Sequence, residues 1–204
     1  TFGEQETDVS YGRLSDGSNQ WDFQSPSPGT SNGSEPVSIE LSYHEGWNLV
    51  GLPIGIGNPS YEIIFPNSTQ GTLYGFDGTY FDTEILEFGN GYWLYFEGNG
   101  TNLITGDPVV NLNITLSQGW NLVSGITFDK SVDDILDFDN IVVSGSWYGF
   151  NETYFSADSL FPGEGYWVNA NADGVIGISN SMQSSYKRYN QQEIKNANIL
   201  KYNN

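Results

Sequence analysis

The side chains best suited to hold a ligand in this chain are aromatic. Trp47, Trp93, Trp120, Trp167, Tyr74 and Tyr148 recur at fixed spacing and offer flat π-faces on which a sugar ring can stack. Rings that recur beside turn glycines are also what two equal small cores would need, and core filling is the expectation for them. As ligand contacts the sequence nominates Tyr74, Trp93, Trp147, Tyr148 and Trp167. Trp147 stands where the earlier repeat has Leu73, so it either fills its core differently or has gained a contact of its own. A second chemistry is calcium binding. Asp133, Asp134, Asp137 and Asp139 crowd one stretch, and calcium takes roughly six to eight oxygens. No DxDxDG loop with a distal Glu accompanies them, so a solvated acidic face is expected instead.

Catalysis finds little to work with. His44 is the only histidine, beside Glu45 in a predicted hairpin turn, and the equivalent positions are Ser117 and Gln118. No acid–base pair is therefore repeated. There is no G-x-S-x-G nucleophile elbow, no Gly-rich phosphate loop and no metalloprotease helix. Twenty-five carboxylates make a glycosidase pair easy to draw and hard to specify. The expectation is no enzyme and no cofactor.

The elements that position these residues come in duplicate. Gly46-Trp47-Asn48-Leu49-Val50 recurs as Gly119-Trp120-Asn121-Leu122-Val123, at an offset of 73. Gly91-Tyr92-Trp93 recurs as Gly165-Tyr166-Trp167, at an offset of 74. Between them, seven of the eleven positions from Gly71 to Phe81 are identical to those from Gly145 to Phe155, again at 74. So regular a match is an internal duplication. The units run from 34 to 107 and from 108 to 180, and a junction of two residues, Asp107 and Pro108, predicts that they pack together. Each is read as short strands: one before and one after a turn at His44-Glu45-Gly46 or its counterpart, a hairpin turning at Asp77-Gly78 or Asn151-Glu152, and a Tyr-Trp strand. A short helix is expected in each unit, at Ser60–Phe65 and at Ser131–Leu136, where Ser131 is a fitting N-cap.

Composition agrees with a mostly β chain. Of 204 residues, 25 are glycine and 8 proline, which favours many turns between short strands. There is no cysteine, so disulfides and thiolate metal sites are excluded. A net charge of −19 repels phosphate backbones and anionic lipid, which argues against nucleic acid as a partner. No apolar run approaches the ~20 residues of a membrane helix. Thr1 opens the chain with neither Met nor a signal-like segment, so a longer precursor is expected.

Residues 1–33 differ from the repeats. Val9-Ser10-Tyr11-Gly12-Arg13, then Asp16-Gly17-Ser18, Trp21-Asp22-Phe23 and Ser25-Pro26-Ser27-Pro28-Gly29 read as a β-hairpin with a Pro-rich exit. This run resembles the C-terminal end of a bacterial lamin tail domain. The resemblance implies the last hairpin of an immunoglobulin-like β-sandwich, its earlier strands lying upstream, and it carries no ligand residues. The tandem units resemble the GWNL…GYW repeats of secreted, multidomain surface proteins of Bacteroidetes type, which implies an extracellular or cell-surface setting. Residues 181–204 turn polar and basic and read as a tail or linker. The function expected is a non-catalytic module for adhesion, display or spacing, with another surface protein or an extracellular polysaccharide as partner. The alternative is an accessory carbohydrate-binding domain of a secreted enzyme.

Overall fold

The computed structural model describes residues 10–13, 21–24 and 36–180. Strands β1 (Ser10–Arg13) and β2 (Trp21–Gln24) pair antiparallel with Tyr11 opposite Phe23, the hairpin expected there. The rest of the lamin-tail-like stretch, the linker up to residue 35 and the basic tail from 181 lie outside the described residues.

From Val37 onward the chain is built of short antiparallel strands. The first set is β3 (Val37–Tyr43), β4 (Gly46–Gly51), β5 (Ile54–Gly55), helix α1 (Tyr61–Ile64), β6 (Tyr74–Phe76), β7 (Tyr80–Asp82), β8 (Gly91–Phe96) and β9 (Gly100–Pro108). The second is β10 (Asn111–Leu116), β11 (Gly119–Ser124), β12 (Lys130–Ser131), β13 (Tyr148–Asn151), β14 (Thr153–Ser156), β15 (Ser159–Leu160), β16 (Gly165–Ala170) and β17 (Gly174–Ser179). Two four-stranded sheets share one strand order, β4-β8-β6-β7 and β11-β16-β13-β14. Beside them β3 pairs with β9, and β10 with β17. No helix among the described residues is long and apolar enough to cross a membrane.

Strand alternation divides each four-stranded sheet into two apolar faces. Val50, Tyr92, Leu94 and Phe96 point into a core closed by Leu41, Tyr43 and Ile104. Val123, Tyr166, Val168 and Ala170 do the same against Ile114, Leu116, Ile176 and Ile178. The opposite faces carry Leu49, Phe76 and Trp93 on one sheet and Leu122, Tyr148, Phe150 and Trp167 on the other, and these meet in a third apolar cluster.

The contacts across that meeting are reciprocal. Phe76 packs edge-to-face on Trp167 at 4.9 Å, and the equivalent rings, Phe150 and Trp93, do so at 4.8 Å. Gly51 N–H donates to Gly163 C=O at 2.9 Å, and Ser124 N–H donates to Gly89 C=O at 2.9 Å. Exchanging the equivalent residues of the two halves converts each contact into its mate, the signature of a two-fold pairing inside one chain.

Three local expectations change. His44 and Glu45 do not turn a hairpin, because β3 pairs with β9 while β4 pairs with β8, so the chain crosses between sheets there. The β6–β7 and β13–β14 hairpins form, but with Gly78 at the tip of a three-residue loop, Asp77-Gly78-Thr79, and Glu152 alone at the tip of the other, rather than a two-residue type I′ turn. Both tip residues hold positive φ, +105° and +59°. Of the two helices, only α1 is α-helical. Val132–Asp134 is one 3-10 turn, its Asp133 N–H capped by the Ser131 hydroxyl as expected. It stops at once because Leu136 exchanges two backbone hydrogen bonds with Gly177, both at 2.8 Å. Sheet pairing thus overrides the local helical signal.

Candidate functional site

The Gly-Trp-Asn motif has a separate job for each residue. Gly46 and Gly119 take φ of +94° and +101° at the crossing between sheets, a conformation that costs other residues about 1 kcal/mol or more. Asn48 Nδ2 donates to the His44 and Gly46 carbonyls while its Oδ1 accepts from His44 N–H at 3.0 Å. Asn121 makes the same three bonds to Ser117 and Gly119. With the chain so clasped, Trp47 and Trp120 are held on the sheet faces that look toward the opposite half, on the same side as Leu49 and Leu122.

Trp47 and Trp120 are not core. They are 40 % and 48 % exposed, and each forms part of the wall of an open aromatic cleft. One cleft, of about 500 Å³, lies among Trp47, Tyr74, Tyr80, Trp93 and Phe150. The other, of about 490 Å³, lies among Trp120, Tyr148, Tyr154, Trp167, Phe76 and Tyr80. The two sets are equivalent under the offset of the repeat, each borrowing one phenylalanine from the opposite half. Tyr80 reaches both. The clefts are what remains at either side when two aromatic sheet faces meet only around Leu49, Leu122 and Trp167.

The walls are inclined steeply to one another. Trp47 and Trp93 stand at 87°, Trp93 and Phe150 at 78°, Phe76 and Trp167 at 76°. Polar atoms on them are phenol hydroxyls and indole N–H groups. Burial pushes the Tyr154 phenol above its ordinary value, neighbouring Tyr80 adds to the rise, and the Trp167 indole opposes it. Trp167 is itself 8 % exposed, and its Nε1, fully buried, completes no hydrogen bond of acceptable geometry.

No family model, curated protein or solved structure matches this chain.

The residues nominated from sequence divide cleanly. Tyr74, Trp93, Tyr148 and Trp167 line the clefts, two in each. Trp147 does not: it is 5 % exposed and packs in the second core, because it precedes β13 by one residue and points to the face opposite Tyr148. Trp47 and Trp120, expected as core, complete the clefts, and so do Tyr80, Tyr154, Phe76 and Phe150, which were not singled out. Their signal was the hairpin, which places Tyr80 across from Phe76 and Tyr154 across from Phe150 at 5.2 Å in both halves.

The calcium candidates are not brought together as ligands. Asp137 spends both carboxylate oxygens on the Ile141 and Val142 N–H groups, bracing its own loop. Asp133 and Asp134 lie in the 3-10 turn, and Asp139 is exposed. Among the described residues, no three His, Cys, Asp or Glu side chains gather as a metal site.

Proposed function

We propose that the protein is a non-catalytic binding module, secreted or displayed at the cell surface, that holds its ligand in the two aromatic clefts. The observation that carries this reading is the equivalence of the clefts. Two halves each leave an indole and one phenol exposed, with a second phenol half-buried, around an open volume, where full burial would have been the expected outcome. Groups of this kind bind and orient; they supply no nucleophile or general base. Spacing or display alone would not call for exposed rings at matched positions. An oligosaccharide is the second reading, favoured by the indole faces of Trp47 and Trp120, which are accessible to stacking.

The test is a binding screen with soluble polysaccharides and peptides, read by tryptophan fluorescence and calorimetry. Wild type is compared with the Trp47→Ala, Trp120→Ala double variant. A saturable response lost in the double variant supports the reading. A screen in which no ligand responds, or in which every response survives the double variant, sinks it.

A further inference from the structure

We infer that the clefts receive proline-rich segments in the polyproline II conformation, flanked by basic residues, on a partner protein. The inference rests on the clefts being the binding sites of the protein, and it names the class of their ligand.

Three observations separate this ligand from a sugar. The first is the polar complement of the walls. The side chains lining both clefts include no carboxylate and no amide. A sugar brings several hydroxyl donors, and each one buried without an acceptor costs about 1–3 kcal/mol. A proline-rich segment brings no N–H at proline and carries outward carbonyl acceptors, so it asks only for donors. Indole N–H groups only donate and the phenol hydroxyls donate as readily as they accept, so acceptors are the scarcer partner on these walls.

The second observation is the inclination of the rings. Walls inclined at 52–87° to one another form slots, not a flat platform on which a sugar chain could lie. Slots between aromatic edges and faces suit the ridged surface of a polyproline II helix, whose rings recur with three residues per turn.

Charge is the third. Between residues 36 and 180 stand 18 carboxylates against one cation, Lys130. Asp77 and Asp82 flank the β6–β7 hairpin that delivers Tyr80, and Glu152 sits at the tip of the hairpin that delivers Tyr154; all three are exposed. A field of that sign draws in a segment with basic flanks and weakens as salt rises.

The experiment is calorimetric titration of the full chain with a lysine-flanked oligoproline of about ten residues. A glycine-serine peptide with the same lysines is the control for charge. Cellohexaose, laminarihexaose and chitohexaose are titrated in parallel. The expected result is two oligoproline sites per chain, one after Trp47→Ala or Trp120→Ala alone, and none after both, with affinity falling at high ionic strength. Should an alanine variant fail to fold, Tyr154→Ala, at a more exposed position, takes its place and should weaken the second site. The inference is overturned if the control peptide binds as well as the oligoproline, or if oligoproline binding survives the double variant. An oligosaccharide that binds through Trp47 and Trp120 while the oligoproline does not also overturns it, yet leaves the binding-module reading standing. Silence from every ligand overturns both.

Discussion

Gly51 and Ser124 occupy equivalent positions in the two halves and face each other across the two-fold, where there is room for one side chain only. A Cβ on Gly51 would lie 2.2 Å from Ser124 Cβ and 2.8 Å from its Oγ. Gly51 is not among the residues of positive φ, so the demand for glycine comes from Ser124 and not from the backbone. Gly51→Ser should cost about 2 kcal/mol by overpacking. Ser124→Ala should be neutral or stabilising by up to about 1 kcal/mol, because the Ser124 hydroxyl is buried without a partner. Moving the side chain across, as Gly51→Ser with Ser124→Gly, should recover most of the loss. Urea midpoints for the three variants check this, and additive losses would refute it.

The tryptophans should separate by role. Trp47→Ala and Trp120→Ala remove half-exposed rings and should cost about 1 kcal/mol or less. Trp147→Ala empties a core position and should cost about 3–5 kcal/mol. Thermal melting of the three variants gives the ranking. A Trp120→Ala loss as large as that of Trp147→Ala would mean that the cleft wall is structural.

The asparagine clasps predict a chemical selectivity. Asn48→Ala should cost about 2 kcal/mol, since three backbone groups at the sheet crossing lose their partner. Asn48→Asp should do no better at neutral pH. A carboxylate still accepts from His44 N–H, but it faces the His44 and Gly46 carbonyls without a proton to offer. The same ordering should hold at Asn121. Denaturant unfolding of the four variants measures it, and an aspartate that matches wild type would remove the two-carbonyl contact from the account.

Stability should fall in alkali. Burial raises the Tyr92 phenol against the opposing hydrogen bonds from Glu87 N–H and Asn90, raises the Tyr166 phenol with the Glu164 carboxylate adding to the rise, and raises Tyr154 as well. The folded chain therefore keeps protons that the unfolded chain gives up near pH 10. Their contribution is complete below about pH 10 and is lost as pH climbs above it. The urea midpoint should drop between about pH 9 and about pH 11, and phenolate absorbance should show buried tyrosines titrating only with unfolding. A flat midpoint over that window would contradict the burial argument.

Much of this arrangement was legible in the sequence. The offset of 73 or 74 marked the equivalent strands, and the Gly-Trp-Asn strand and the Tyr-Trp strand stand where expected. What could not be read was which side of the Tyr-Trp strand looks inward. Tyr92 and Tyr166 enter the cores, while Trp93 and Trp167 turn to the opposite face. Both faces are apolar, so alternation carried no inside-or-outside signal. Trp47 and Trp120 were misread as core for that reason. Trp147 shows the reverse case: as the odd member of a repeated set it looked like an acquired contact, and it fills the space that Leu73 fills in the first core.

The two-fold pairing also limits how such a protein can lengthen. Stacked repeats leave an open end on which another copy can always be added. Here each half covers the inner part of its aromatic face with the other half, through Phe76 on Trp167 and Phe150 on Trp93, and the symmetry closes at two. A third copy appended to the chain would find those positions taken. Growth by further duplication would have to proceed by whole pairs, bringing its clefts two at a time.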